Sequence, residues 1–489
     1  MRRVLPILGV WCGLLAVPLQ AQTVRTTGAS TLRYIGIRPL ELDSVPVGIT
    51  TGDGVLRRTT DGRLVRCVPA ALHCYRYRSG ARAGMVPAVQ DVGLSVWGIG
   101  RGMSGYAQVR ARADLGSGSA AWPRADDALD VLEAYAQLDR GSVRLRGGRQ
   151  WRTSGLGFYN FDGLSALYRA DPRISVEGFA GWTLVRGLHE PVSTEALAAV
   201  ETYVPERRGL LFGAEVRARP SAATSLTASY QREIRSDRGG LYGERVALDG
   251  VARRGAAALE LELDADVAGR DLNEARLRLL LPPLYGVRAH LQARRYRPYF
   301  ELWTIWSAFT PVGFSELGGG AAWRSTEHPV ALTVRGARRA YDATGAELTF
   351  TTLRDAGWYM DVTAEVEPAP SWRLSGMYAA DLGFGAAKGQ GSARVERRFG
   401  TGSHGGLVLH AFQRSTELRV DEGTVYGASA DGALRLSART GVSGAVSFYR
   451  HADRGSAPAV DWSQWRALLR LDWVVGPEPG LPEVGGGGS

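Results

Sequence analysis

The sequence predicts an all-β fold: a transmembrane, antiparallel, up-and-down barrel of about 20 strands, within roughly 18 to 22. Three observations predict it. Apolar and polar residues alternate along most of the chain. Tight turns alternate with long connections. A secretory leader precedes both.

Residues 1–22 read as that leader. Arg2 and Arg3 are its basic start, Val4 to Val17 its apolar run, and Leu19-Gln20-Ala21 an acceptable cleavage site. No other stretch approaches the ~20 apolar residues of a spanning helix. Removing Arg2 and Arg3 from the 59 basic residues leaves 57 against 49 acidic ones, a net charge of +8. Lys388 is the only lysine. The arginines are spread over many strands and mixed with Asp and Glu, without a basic helix or stacking platform. No nucleic-acid partner is expected.

Residues 23–91 read as an N-terminal segment with one stapled hairpin. Cys67 and Cys74 are two thiols in an exported chain, so a disulfide is expected. Val55 to Arg58 and Arg63 to Arg66 flank Thr60-Asp61-Gly62, an Asp-Gly hairpin signal. The segment lacks Cys-x-x-Cys-His and a four-ligand zinc set, and no cofactor is expected.

Residues 92–475 carry the barrel pattern. Its clearest stretch is 258–296. Leu259, Leu261, Leu263 and Ala265 alternate with Glu260, Glu262, Asp264 and Asp266. Ala275, Leu277 and Leu279 alternate with Glu274, Arg276 and Arg278. Val287, Ala289, Leu291 and Ala293 then alternate with Arg288, His290, Gln292 and Arg294. Strand side chains point to opposite faces with a period of two, so each strand has one apolar and one charged face. The same alternation recurs at 174–184, 225–233, 358–367 and 464–475. Short connections such as 139–142, 170–173 and 220–224 alternate with longer ones such as 114–127, 185–208, 297–314 and 452–461. Val92 to Gly100 upsets an even count: it is either the bent first half of the next strand or the partner of a strand upstream. Residues 476–489, rich in Pro and Gly, read as a flexible tail.

An apolar face repeated over so many strands has to be buried. In hydrocarbon every backbone N–H and C=O must pair, so only an edgeless sheet survives. The mean hydropathy of -0.13 agrees, because half of each strand is polar. Recurring aromatics near strand ends, among them Trp151, Phe158, Tyr159, Trp182, Trp358 and Trp473, fit interfacial girdles.

Over residues 92–475 the chain resembles the outer-membrane porin-like barrels of diderm bacteria. One stretch adds to the architectural likeness: Arg144-Leu145-Arg146-Gly147-Gly148-Arg149-Gln150, then Phe158-Tyr159-Asn160-Phe161-Asp162-Gly163-Leu164, is similar to a GRQ…FDG sequence of such barrels. The resemblance implies outer-membrane lipid and the barrel-assembly machinery as partners, and both termini in the periplasm. The chain departs from the usual barrel ending, since a tail follows Trp473.

The implied function is a porin-like channel for small polar or charged solutes, mildly anion-preferring. The expected lumen charges are Arg144, Arg146, Glu260, Glu262, Asp264, Asp266, Arg276, Arg278, Arg288, His290, Arg294, Arg394 and Arg398. They are either a satisfied polar wall or opposed rows that orient and screen solutes. The 297–314 loop is the candidate constriction, with Tyr299, Phe300, Trp303, Trp306 and Phe309. Three placements stay open for it: inside the lumen, on the outer rim, or against a partner or sugar. An alternative function is a scaffold or conduit sheathing a periplasmic protein such as an electron-transfer cytochrome. A rim enzyme is the remaining rival. None of His73, His189, His290, His328, His404, His410 and His451 lies in a Gly-x-Ser-x-Gly nucleophile motif, so no enzyme is expected.

Overall fold

The computed structural model describes residues 23–37, 40–52, 56–60, 64–67, 72–79, 81–116, 128–184, 209–235, 240–297, 312–342, 355–383, 387–400, 402–414, 423–453 and 463–477. The leader and all but the first two residues of the tail lie outside this set.

The large sheet closes on itself. Twenty-two strands form the wall, with the three-residue strand Ala83–Met85 outside it. Each wall strand pairs antiparallel with the next in the chain, and the first pairs with the last. Thr23–Ile37 runs beside Ser463–Val475 from Thr26↔Val475 to Gly36↔Trp465, and beside Pro87–Gly100 from Thr23↔Trp97 to Leu32↔Ala88. Closure pairs the first strand with the last, as the apolar outer surface requires.

This pairing corrects the expected start of the barrel at residue 92. The first wall strand is Thr23–Ile37. It supplies the upstream partner that Val92 to Gly100 needed and makes the count even. Its outward positions hide the pattern: Val24, Thr26, Gly28, Ser30, Leu32 and Tyr34 include three small or polar residues. Gly28 lies beneath the Trp473 indole of the last strand, so a Cβ there would collide with the ring.

Between the first two wall strands the chain leaves the barrel and builds a separate antiparallel sheet. Its spatial order is Leu40–Pro46, His73–Ser79, Leu64–Cys67, Leu56–Thr59, Thr50–Thr51. Cys67 and Cys74 are directly opposed and disulfide-bonded. With Val45 and Val65 they form its small buried core. Among the described residues the sheet packs on itself and makes no extended contact with the wall. It joins the barrel at the end opposite both termini.

That end also carries the long connections, 115–128, 184–209, 297–313, 342–355, 415–422 and 454–462. The other end has tight ones. Arg140 to Val143, Asp171 to Ile174, Ser221 to Thr224 and Arg254 to Ala257 each turn in two residues. Gly141 and Gly255 adopt φ of 56° and 61° there, a region glycine enters without strain.

The two faces of the wall reverse the usual soluble pattern. Leucine, valine and tryptophan on one face stand exposed, as at Leu164, Leu291 and Trp358. Charged residues on the other face are more covered: Glu215, Asp264 and Asp361 are all buried. The concave side of a barrel crowds its side chains, so the charged face is the inner one. The apolar face is left for hydrocarbon.

Candidate channel lining and constriction

The expected lumen charges all stand on the inner face, and most meet partners across neighbouring strands. Glu260 faces Arg278 at 3.6 Å and Glu262 pairs with Arg276. Glu274 accepts from Arg294 at 2.9 Å and lies 3.7 Å from Arg276. Asp264 pairs with Arg245, and Asp266 accepts from the Gly269 N–H at 3.0 Å. Arg144 bonds Asp139 at 2.8 Å. Arg146 bonds Gln137 at 2.9 Å and covers the Tyr135 ring at 4.3 Å. Arg394 clasps Asp431 through two bonds of 2.6 and 2.8 Å, and Arg398 lies 3.6 Å from Glu367. Arg288 and His290 enter no ion pair among the described residues. Direct cross-strand opposition makes the contacts Glu260–Arg278, Glu262–Arg276, Asp139–Arg144 and Gln137–Arg146, whereas Arg394 and Arg398 reach across one intervening strand. The wall is a lattice of compensated charge.

The side chains Tyr299, Phe300, Trp303, Trp306 and Phe309 lie outside the described residues. Among the described residues, another segment enters the barrel interior. The strands Val143–Ser154 and Gly157–Asp171 are joined by only Gly155 and Leu156, at the end where most connections are long. Their tip folds inward and lies against the inner wall. Leu156 is buried, and its carbonyl accepts a 2.8 Å hydrogen bond from Arg245, on the strand Gly240–Arg254. A Cβ on Gly155 would meet Asp249 Oδ2 at 2.5 Å and Ala247 Cβ at 3.0 Å. Four strands separate Gly157–Asp171 from Gly240–Arg254, counting the latter, so the tip spans part of the lumen.

A row of glycines makes the bend. Gly148, Gly163 and Gly181 are direct register partners on three adjacent strands. Each approaches a neighbouring backbone too closely for a side chain, and Gly148 has φ of 127°. Only glycine accepts both conditions. Above this row the hairpin parts from Leu129–Arg140, where pairing ends at Ala134↔Arg149, and stays paired with Ile174–Thr183 as far as Phe161↔Thr183. Trp151 lies beside Glu133, an inward residue of Leu129–Arg140.

The hairpin's wall face is packed. Phe161, Phe179 and Leu211 form a buried cluster with Tyr159 against it. Arg152 pairs with Glu177, lies 3.8 Å from Glu215, and stacks over Phe179 at 4.8 Å. Gln150, 1% exposed, donates to the Gly163 carbonyl at 3.1 Å and accepts from Ser165 at 2.8 Å. The opposite face of the hairpin carries Arg149, Trp151, Thr153, Phe158, Asn160 and Asp162. Trp151, Phe158 and Tyr159 therefore leave the expected interfacial girdle. Tyr159 is packed against the inner wall, and the other two face the open side of the hairpin.

The two halves of the GRQ…FDG stretch are opposed residue by residue: Gly148↔Gly163, Arg149↔Asp162 and Gln150↔Phe161. Arg149 grips Asp162 through bonds of 2.8 and 3.1 Å and donates to the Val131 carbonyl at 2.8 Å. Sequence reading singles out this stretch but not the fold-in. The signal is present: glycines at matched register, and a two-residue turn at the long-loop end.

No protein-family model matches the chain, and no curated protein matches it in sequence. Among solved structures, it is similar to OccAB1 of Acinetobacter baumannii over 94% of this chain and 99% of that one, at 10% identity and a TM-score of 0.38. It is similar to an anion-selective porin from Comamonas acidovorans over 55% of this chain and 90% of that one, at 14% identity and a TM-score of 0.34. It is also similar to the P pilus usher (PapC) translocation pore over 93% and 100%, at 8% identity and a TM-score of 0.41. The assignment as a closed barrel rests on the chain's own strand pairing.

Proposed function

We propose that the protein is an outer-membrane channel for small polar or charged solutes, with the hairpin tip at Gly155-Leu156 as its constriction and both termini in the periplasm. The observation that carries this reading is the inward hairpin, latched to the wall by Arg152 and Arg245. A wall of 22 strands encloses far more space than its own side chains fill. A narrowing element inside such a wall makes sense where solutes pass. Among the described residues the separate small sheet has no extended contact with the wall, which speaks against a plug built from it.

Compensated ion pairs argue for weak selectivity. The mature charge of +8 tilts it toward anions, as does Arg288, which has no ion pair among the described residues. Fixed charge acts within a Debye length of about 8–10 Å at physiological salt, so the preference fades as salt rises. The test is planar-bilayer recording of the purified barrel. Ohmic openings with an anion-directed reversal potential support the reading. A silent barrel points instead to a scaffold sheathing a periplasmic partner. A cation-directed potential removes the selectivity.

A further inference from the structure

We propose that the open face of the inward hairpin is a stacking site for the ring of a neutral sugar, an inference that rests on the channel reading above. Trp151 and Phe158 lie side by side on this face, ring centroids 5.5 Å apart and planes tilted by 37°. They remain 43% and 64% exposed, although the other face of the same hairpin is packed against the wall. Glu133, itself buried, lies beside Trp151. An ordered, exposed aromatic pair inside a polar lumen offers a flat apolar surface, uncovered among the described residues.

The surroundings choose the class of ring. Asn160 stands directly across from Trp151, and Thr153 across from Phe158. These amide and hydroxyl groups suit the hydroxyl edge of a pyranose, whose C–H face lies on the aromatics. The nearest full charges are the Glu133 carboxylate beside Trp151 and the Arg149–Asp162 pair. Arg149 is committed to Asp162 by two bonds and to the Val131 carbonyl by a third. An aromatic carboxylate would need an uncommitted cation beside the platform, and this guanidinium is not one. A neutral ring loses nothing by that compensation.

Saturation-transfer NMR on the full barrel in nanodiscs, with maltose and glucose as probes, tests the site without requiring conduction. Transfer to the sugar C–H protons is expected. Trp151→Ala and Phe158→Ala should weaken binding by roughly 3- to 10-fold, in line with the loss of one stacking contact. Phe158→Tyr should retain it, and the lipid-facing Trp358→Ala should leave it unchanged. Absence of transfer from both sugars, or equal binding by wild type and Phe158→Ala, overturns the proposal. So does Trp151-dependent transfer to benzoate with none to sugar. Bilayer recording of the same preparation keeps the two readings apart. Ohmic openings without sugar binding remove this site and leave the channel, whereas sugar binding to a silent barrel removes the channel and leaves the site.

Discussion

Arg245 donates a hydrogen bond of 2.8 Å to the carbonyl oxygen of Leu156, 89 residues earlier in the chain. The same guanidinium pairs with Asp264 on the next strand, which aims it into the lumen. One arginine thus anchors the tip of the constricting hairpin to the wall. Arg245→Ala removes that anchor and leaves the barrel's backbone pairing intact. Single-channel conductance should rise, and open-state current noise should increase as the tip moves. An unchanged conductance would show that the tip does not limit the opening.

The glycine row makes a sharper demand on folding. At Gly148 any side chain would meet the backbone of Ala134 and Tyr135, and φ is 127°. Gly148→Val should cost at least about 1–3 kcal/mol from backbone strain alone. A Cβ at Gly178, two strands away, would meet nothing within 4 Å, and φ there lies outside the left-handed region. Gly178→Ala should therefore be neutral. Urea titration of folding into lipid, read by the mobility shift of unheated barrel on gels, compares the two.

The face assignment predicts opposite outcomes for neighbouring residues. Leu291 stands on the lipid face, and Leu291→Arg should cost about 2–4 kcal/mol if it lies near the bilayer midplane. Gln292 faces inward and bonds Glu316 at 3.2 Å, a carboxylate shared with Arg339, so an arginine there stays on the polar side of the wall. Gln292→Arg should fold normally. Equal folding free energies for the two variants would reverse the faces.

The disulfide should stabilise the small sheet and not the barrel. Closing so short a loop contributes about 2–3 kcal/mol by chain entropy. The closing register, Thr26 to Gly36 against Trp465 to Val475, does not include it. In the Cys67→Ser/Cys74→Ser double variant, hydrogen exchange should accelerate over residues 40–79 and stay slow over the wall strands. Faster exchange throughout would mean that the sheet helps to close the barrel.

Acid should loosen one corner of the long-loop rim. Arg295 clasps Asp342 through bonds of 2.8 and 2.6 Å, and this holds the Asp342 carboxyl below the usual carboxylate range. A depressed folded value means that the pair stabilises the fold above the ordinary aspartate value, about 3.9. That stabilisation is lost as pH falls through the lower, folded value. Amides near Phe314 and Tyr341 should exchange faster below that point. Asp342→Asn should abolish the pH dependence there, and persistence of it in that variant would place its origin elsewhere.

Much of the fold was legible in the sequence because a membrane wall imposes a local rule. Each strand must turn one face to hydrocarbon, so Leu259 to Ala265 and Val287 to Ala293 announce themselves within ten residues. The alternation of turns and loops then follows from up-and-down topology. The inward placement of residues such as Glu262, Arg276 and Arg394 came from the same period of two. The first strand escaped because Gly28 yields its outward space to a residue far along the chain, Trp473, which no local pattern encodes.

The sequence by itself determined a closed barrel with a charged interior. Only the tertiary structure decided what narrows it. The glycines at 148, 163 and 181 look ordinary along the chain and become a hinge only when register sets them side by side. Likewise, position near strand ends placed Trp151 and Phe158 in an interfacial girdle, because that reading assumes a strand that follows the wall. Where the sheet bends away from the wall, the same outward side turns toward the lumen.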